Sequence, residues 1–118
     1  MKSKYFTEKE FKCDKKPCYD KMNKRLIDML DVAREVAGVP FKITSSWRSE
    51  DWNKLIGGAS NSAHLRGNAV DISCITSQNR FLITDALITA GFTRIGIAKT
   101  FIHCDIDDDL PSPVIFLY

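Results

Sequence analysis

The sequence has no apolar run approaching the roughly 20 residues that span a bilayer, which argues against a transmembrane helix. Its opening stretch, Met1 to Cys13, lacks the apolar h-region of a signal peptide. The chain is therefore expected to be made in the cytosol and to stay there unless another system exports or releases it. Neither sign of charge dominates: 17 Lys and Arg against 15 Asp and Glu leave a net +2. The basic residues crowd into the first 25 positions, but no interleaved aromatics or nucleic-acid motif accompany them. That stretch reads as a solvated face, with attraction to an anionic polymer as the alternative, and nucleic acid is set aside. Repeats, low-complexity tracts and Pro/Gly/Ser-rich linkers are also missing. The four cysteines (Cys13, Cys18, Cys74, Cys104) match no disulfide framework, and without paired C-x2-C knuckles a four-thiolate metal site is excluded. Free thiols are expected, with a Cys13–Cys18 bridge as the rival.

What is present suits one globular unit. At 118 residues, the chain is long enough for one continuous core but too short for two folded modules, so residues 1–118 read as a single domain. Apolar residues at Met22, Leu26, Met29, Leu30, Ala33, Val36 and Ala37 predict an amphipathic helix that Gly38 and Pro40 end. Phe41 to Ser46 reads as a strand, and Ser49 caps a short helix over Glu50 to Leu55. A second strand is expected from Asn68 to Ser73, a helix from Ser77 to Ala90, and strands over Thr93 to Ile97 and Thr100 to Ile106. This order favours an α+β fold with a small, mainly antiparallel sheet flanked by helices. The first 20 residues look irregular, anchored by Phe6 and Phe11.

Chemistry concentrates in Ala59 to Ser73 and in Phe101 to Asp105. His64 and Asp71 stand on either side of Gly67, so a turn feeding the second strand can bring them to one point. Alternation sends His103 and Asp105 to one face, away from Ile102 and Cys104. His64 and His103 are the only two histidines. Taken singly, each has an ordinary reading as a surface His or a strand Asp with a backbone partner. Together, two neutral imidazoles and one carboxylate form a set that leaves zinc's fourth position open, as a hydrolytic site requires. The acidic run from Asp105 to Asp109 lacks the glycine and distal Glu of a calcium loop, and Asp107, Asp108 and Asp109 read as a solvated turn before Pro111 and Pro113. Core packing is the expected use of Trp47 and Trp52.

The string Ser62-x-His64-x-x-Gly67-x-Ala69-x-Asp71, followed by a strand carrying His103, resembles the zinc D-Ala-D-Ala carboxypeptidases and peptidoglycan endopeptidases, the VanY-like group that includes phage endolysins. Ile43 to Ser49 is similar to the family's S-G-x-R-S segment, and Gly91-Phe92 with Arg94 to Ile97 precedes the last ligand as in that family. The resemblance covers roughly residues 5 to 107 and implies a D-Ala-D-Ala-peptidase or hedgehog-like fold. It implies that His64, Asp71 and His103 bind zinc, that Arg48 steadies a carboxylate or carbonyl of a peptidoglycan peptide, and that Ser62 lines the cleft or supports His64. For Ser62 a plain capping role stands beside that reading.

Many family members carry a Glu or Asp three residues before the last histidine as general base, where this chain has Thr100. A base is still required, and Asp105 is the nearby carboxylate expected to serve; an orienting role toward His103 is the equal alternative. Small size and the missing signal peptide suit a phage-type lysin or virion-associated factor that reaches the wall through lysis rather than secretion, working as a monomer. A non-catalytic zinc module, as in hedgehog domains, and a tail-structural protein that only keeps the fold are the competing classes.

Overall fold

The computed structural model describes residues 3–118. Near its start Phe6 and Phe11 are buried as expected, but the segment is not wholly irregular. A small hairpin of β1 (Lys12–Cys13) and β2 (Lys16–Pro17) turns through Asp14 and Lys15, both at positive φ (49° and 67°). Two central residues at positive φ suit the right-handed twist of a tight hairpin.

Helix α1 (Lys24–Ala37) buries Leu26, Ile27, Leu30, Ala33 and Ala37. The Asn23 side chain accepts the Arg25 N–H at 2.9 Å and sets its start, so Met22 is buried ahead of the helix rather than within it. Gly38 ends it with a left-handed φ of 70°, and Val36 faces solvent. The short α2 (Glu50–Leu55) is capped by Ser49. Helix α3 (Ser77–Thr89) begins at Thr76, whose hydroxyl accepts from the Asn79 N–H, and packs on α1 through Ile83, Ala86 and Leu87.

The main sheet runs β3 (Ile43–Ser45), β4 (Ala69–Ser73), β6 (Phe101–Asp105), β5 (Arg94–Ile97), β7 (Val114–Leu117) in spatial order. All pairs are antiparallel except β5–β7. The sheet is thus mainly antiparallel as expected, and β7 is an addition: a β-branched and aromatic segment hidden in the sequence behind two prolines.

Alternation gives the sheet two unlike faces. Val70, Ile72, Ile95, Ile102 and Cys104 join Leu26, Leu30, Ile83 and Leu87 in the core, each large aliphatic chain contributing about 1.5–3 kcal/mol on burial. On the opposite face the register lines up Ser45, Asp71, His103, Gly96 and Phe116 across all five strands. A neighbouring row holds Ala69, Asp105, Arg94 and Val114. The apolar half of each strand therefore fixes where the polar half meets.

Asp107 departs from the expected solvated turn. It is buried, and its carboxylate accepts from Arg66 Nε at 2.6 Å and Asn68 Nδ2 at 3.3 Å, tying the segment after β6 to the loop before β4. All four cysteines are free and buried. Trp47 and Trp52 pack against the core. Among the described residues no helix is long and apolar enough to cross a membrane.

Candidate metal centre

His64 rides on a 3-10 turn, Ala63–Arg66, rather than on a strand or α-helix. Ser62 caps that turn, its Oγ accepting the His64 N–H at 3.2 Å, and Gly67 closes it at φ 71°. A Cβ on Gly67 would lie 2.0 Å from the Lys21 carbonyl oxygen, so only glycine lets the turn seat here. Asp71 and His103 come from the centres of β4 and β6, where they are direct cross-strand partners. The structure brings these three residues together: His64, Asp71 and His103 are buried, and one candidate ligand atom from each lies within 4.8 Å of the others.

The hydrogen bonds decide which atoms those are. His64 Nδ1 donates to the Ser46 carbonyl oxygen at 2.7 Å, and since a carbonyl only accepts, Nε2 is left bare and faces Asp71 Oδ1 at 3.2 Å. His103 Nε2 donates to Asp105 Oδ2 at 2.6 Å, which leaves Nδ1 bare at 3.0 Å from the same Asp71 oxygen. With both imidazoles neutral, three lone-pair donors converge with no hydrogen between them. Such a cluster is satisfied by a cation, and two nitrogens with one carboxylate oxygen, each remote imidazole N–H held by an acceptor, is a donor set that fits zinc.

Without a cation the cluster leans on protons. Burial works against the Asp71 charge, but hydrogen bonds from His103 and His64 outweigh it and hold its carboxyl well below the usual range. Burial also works against a charged His103, yet Asp105 and Asp71 beside it prevail and raise its pKa. Burial, followed by the charges of Asp71 and Asp105, pushes the Cys104 thiol well up, so it stays protonated behind the sheet.

Asp105 lies on the far side of His103 from Asp71. It is fully buried behind His103: Oδ2 takes His103 Nε2, while Oδ1 takes Arg94 Nε at 2.8 Å and the Asp107 N–H at 3.1 Å. Both oxygens are engaged, and of the two roles open to Asp105, proton acceptor or group that orients His103, this geometry favours the second. Thr100, three residues before His103, is exposed in the β5–β6 turn.

Arg48 stands at the edge of the cluster. Its Nη2 lies 3.4 Å from Asp71 Oδ2, its Nε donates to Ser45 Oγ, and its Nη1 donates to Asn53 Oδ1. Asn53 is buried and donates in turn to the Ala59 carbonyl oxygen, so the guanidinium is braced next to Asp71. Ser62 spends its hydroxyl on the cap, the plainer of the two roles open to it.

Ser46, Arg94, Asn53 and the aromatic pair Phe116 and Tyr118 escaped the sequence reading. Phe116 and Tyr118 put their rings 5.6 and 6.4 Å from the His103 ring. Burial, then the charge of Asp71, pushes the Tyr118 phenol up to about 12. Arg94 was recoverable in principle, since alternation through Arg94-Ile95-Gly96-Ile97 places it on the face of Asp105; the others depend on register or on loop closure.

A family model described as Peptidase M15 matches residues 4–105, a span that holds His64, Asp71 and His103 and ends before β7. No curated protein matches the chain.

Proposed function

The chain belongs to the peptidase M15 family, and on that premise we propose that it is a zinc-dependent peptidase of bacterial peptidoglycan stem peptides, acting as a D-Ala-D-Ala carboxypeptidase or as an endopeptidase. Family membership supports a metallopeptidase with a peptide substrate, and the proposal takes the wall stem peptide as that substrate. The observation that carries it is the convergence of His64 Nε2, His103 Nδ1 and Asp71 Oδ1, with both remote imidazole N–H groups held by Ser46 and Asp105.

His64, Asp71 and His103 would hold the metal. Bound there, zinc supplies a Lewis acid that polarises a carbonyl and lowers the pKa of water toward about 7. The protein's own part is to keep both imidazoles in the tautomer that presents a lone pair, and the Ser46 carbonyl and the Asp105 carboxylate do this. Arg48, braced by Asn53, offers a positive charge beside the centre for a peptide carboxylate or carbonyl, which a planar guanidinium grips well. We place the action of the protein, one peptidase domain over residues 1–118, at the wall after release by lysis or from a virion.

A second reading keeps the metal and drops the chemistry, as a zinc-binding recognition module. Thr100 at the family's usual base position and the engagement of both Asp105 oxygens favour it. Digestion of purified peptidoglycan by the zinc-loaded protein, with and without chelator, separates the two. Chelator-sensitive release of single D-Ala or of paired internal fragments, read by mass spectrometry, supports the peptidase. Stoichiometric zinc with no new fragments from several wall types supports the recognition module.

A further inference from the structure

Gly96 lies between His103 and Phe116 in the row that crosses the sheet. A Cβ there would sit 2.5 Å from Phe116 Cε2 and 2.7 Å from Tyr118 Cε1, so the missing side chain is what lets both rings settle on the strand beside His103. Tyr118 is pinned by its backbone N–H to the Ile97 carbonyl at 3.0 Å and braced by the rings of Phe101 (4.9 Å) and Phe116 (5.7 Å). It is 66% exposed where His103 is 5% exposed, so its ring stands at the border between the buried ligands and solvent. Its phenol is near enough to feel the charges of Asp71 and Arg48. Among the described residues its hydroxyl has no protein partner, while the Arg48 guanidinium, bonded to Asp71, Ser45 and Asn53, keeps one N–H on each of Nη1 and Nη2 for the substrate. An uncommitted donor beside a hydrolytic centre has one acceptor in a peptide bond to serve, the carbonyl oxygen.

We propose that Tyr118 is a substrate-contacting residue whose ring walls the centre on the β7 side and whose hydroxyl donates a hydrogen bond to the carbonyl oxygen of the bond being cut. The proposal rests on the peptidase reading above and assigns a role to residues beyond the family-matched span. A donor aimed where negative charge builds up during amide hydrolysis is worth about 10²–10³ in rate, more than it adds to ground-state binding. Its part is to give a hydrogen bond and not a proton. Phe116, apolar and against His103, screens that side of the centre from water.

The test pairs Tyr118→Phe, which keeps the ring, with Gly96→Ala, which pushes both rings off the strand. Three quantities are read on each: zinc content, kcat and KM on the stem peptide cleaved in the digest, and the affinity of a phosphinate analogue built on the cleaved bond. The expected result for Tyr118→Phe is full zinc, little change in KM, and a loss of about 100-fold in both kcat and phosphinate affinity. For Gly96→Ala, kcat and phosphinate affinity fall with zinc retained. Wild-type kcat and phosphinate affinity in Tyr118→Phe overturn the role of Tyr118 while leaving the peptidase reading intact. A wild-type protein that holds zinc yet cleaves no peptide overturns the peptidase reading, and this proposal falls with it.

Discussion

Replacing Asp105 by Asn keeps the shape of the side chain but removes the charge that faces His103 Nε2 on one side and Arg94 Nε on the other. If Asp105 orients His103, Asp105→Asn lowers zinc affinity by about 10–100-fold, the usual cost of losing a group that holds a ligand histidine. Competition with a chromophoric chelator measures this on protein whose circular dichroism matches the parent. Unchanged affinity would deny Asp105 that role. At this scale the sequence was most readable where alternation decides: His103 and Asp105 on one face of a strand, Asp71 away from Val70 and Ile72. It was silent on Ser46, whose side chain is unremarkable and whose contribution to His64 is a main-chain carbonyl. Sharing a face with His103 does not say on which side of the ring a carboxylate lies, so the sequence left the base and orienting roles of Asp105 equally open.

Among the elements, the turn from Ala63 to Gly67 carries the heaviest constraint. It presents His64, accepts the Arg48 N–H at the His64 carbonyl, and takes the Asn23 N–H at the Gly67 carbonyl. Gly67→Ala adds a Cβ 2.0 Å from the Lys21 carbonyl oxygen at a residue already at positive φ. It is expected to destabilise the protein by more than about 1 kcal/mol, seen as a lower Tm, and to weaken zinc binding by moving His64. A Tm equal to the parent's would show that the turn yields at no cost. The glycine, the flanking strand and both long helices were legible within a residue or two, because caps and periodicity are local. Strand β7 was not, since an acidic, proline-bearing approach masks a four-residue segment whose pairing with β5 is a long-range event. The buried Asp107 was lost for the same reason: its partners, Arg66 and Asn68, are distant in sequence.

Taken whole, the molecule is a sheet whose helix-covered face supplies stability and whose other face assembles a metal-competent cluster from β4, β6 and one turn. The α+β class and the mainly antiparallel sheet followed from element order, while the order of the strands in space did not. The central claim is that three named atoms form one zinc site. Anomalous scattering at the zinc edge from crystals of the zinc-loaded protein tests it most directly. A single peak bonded to His64 Nε2, His103 Nδ1 and an Asp71 carboxylate oxygen at about 2.0–2.2 Å is expected. A peak at the cysteines, or none between these three residues, would contradict it.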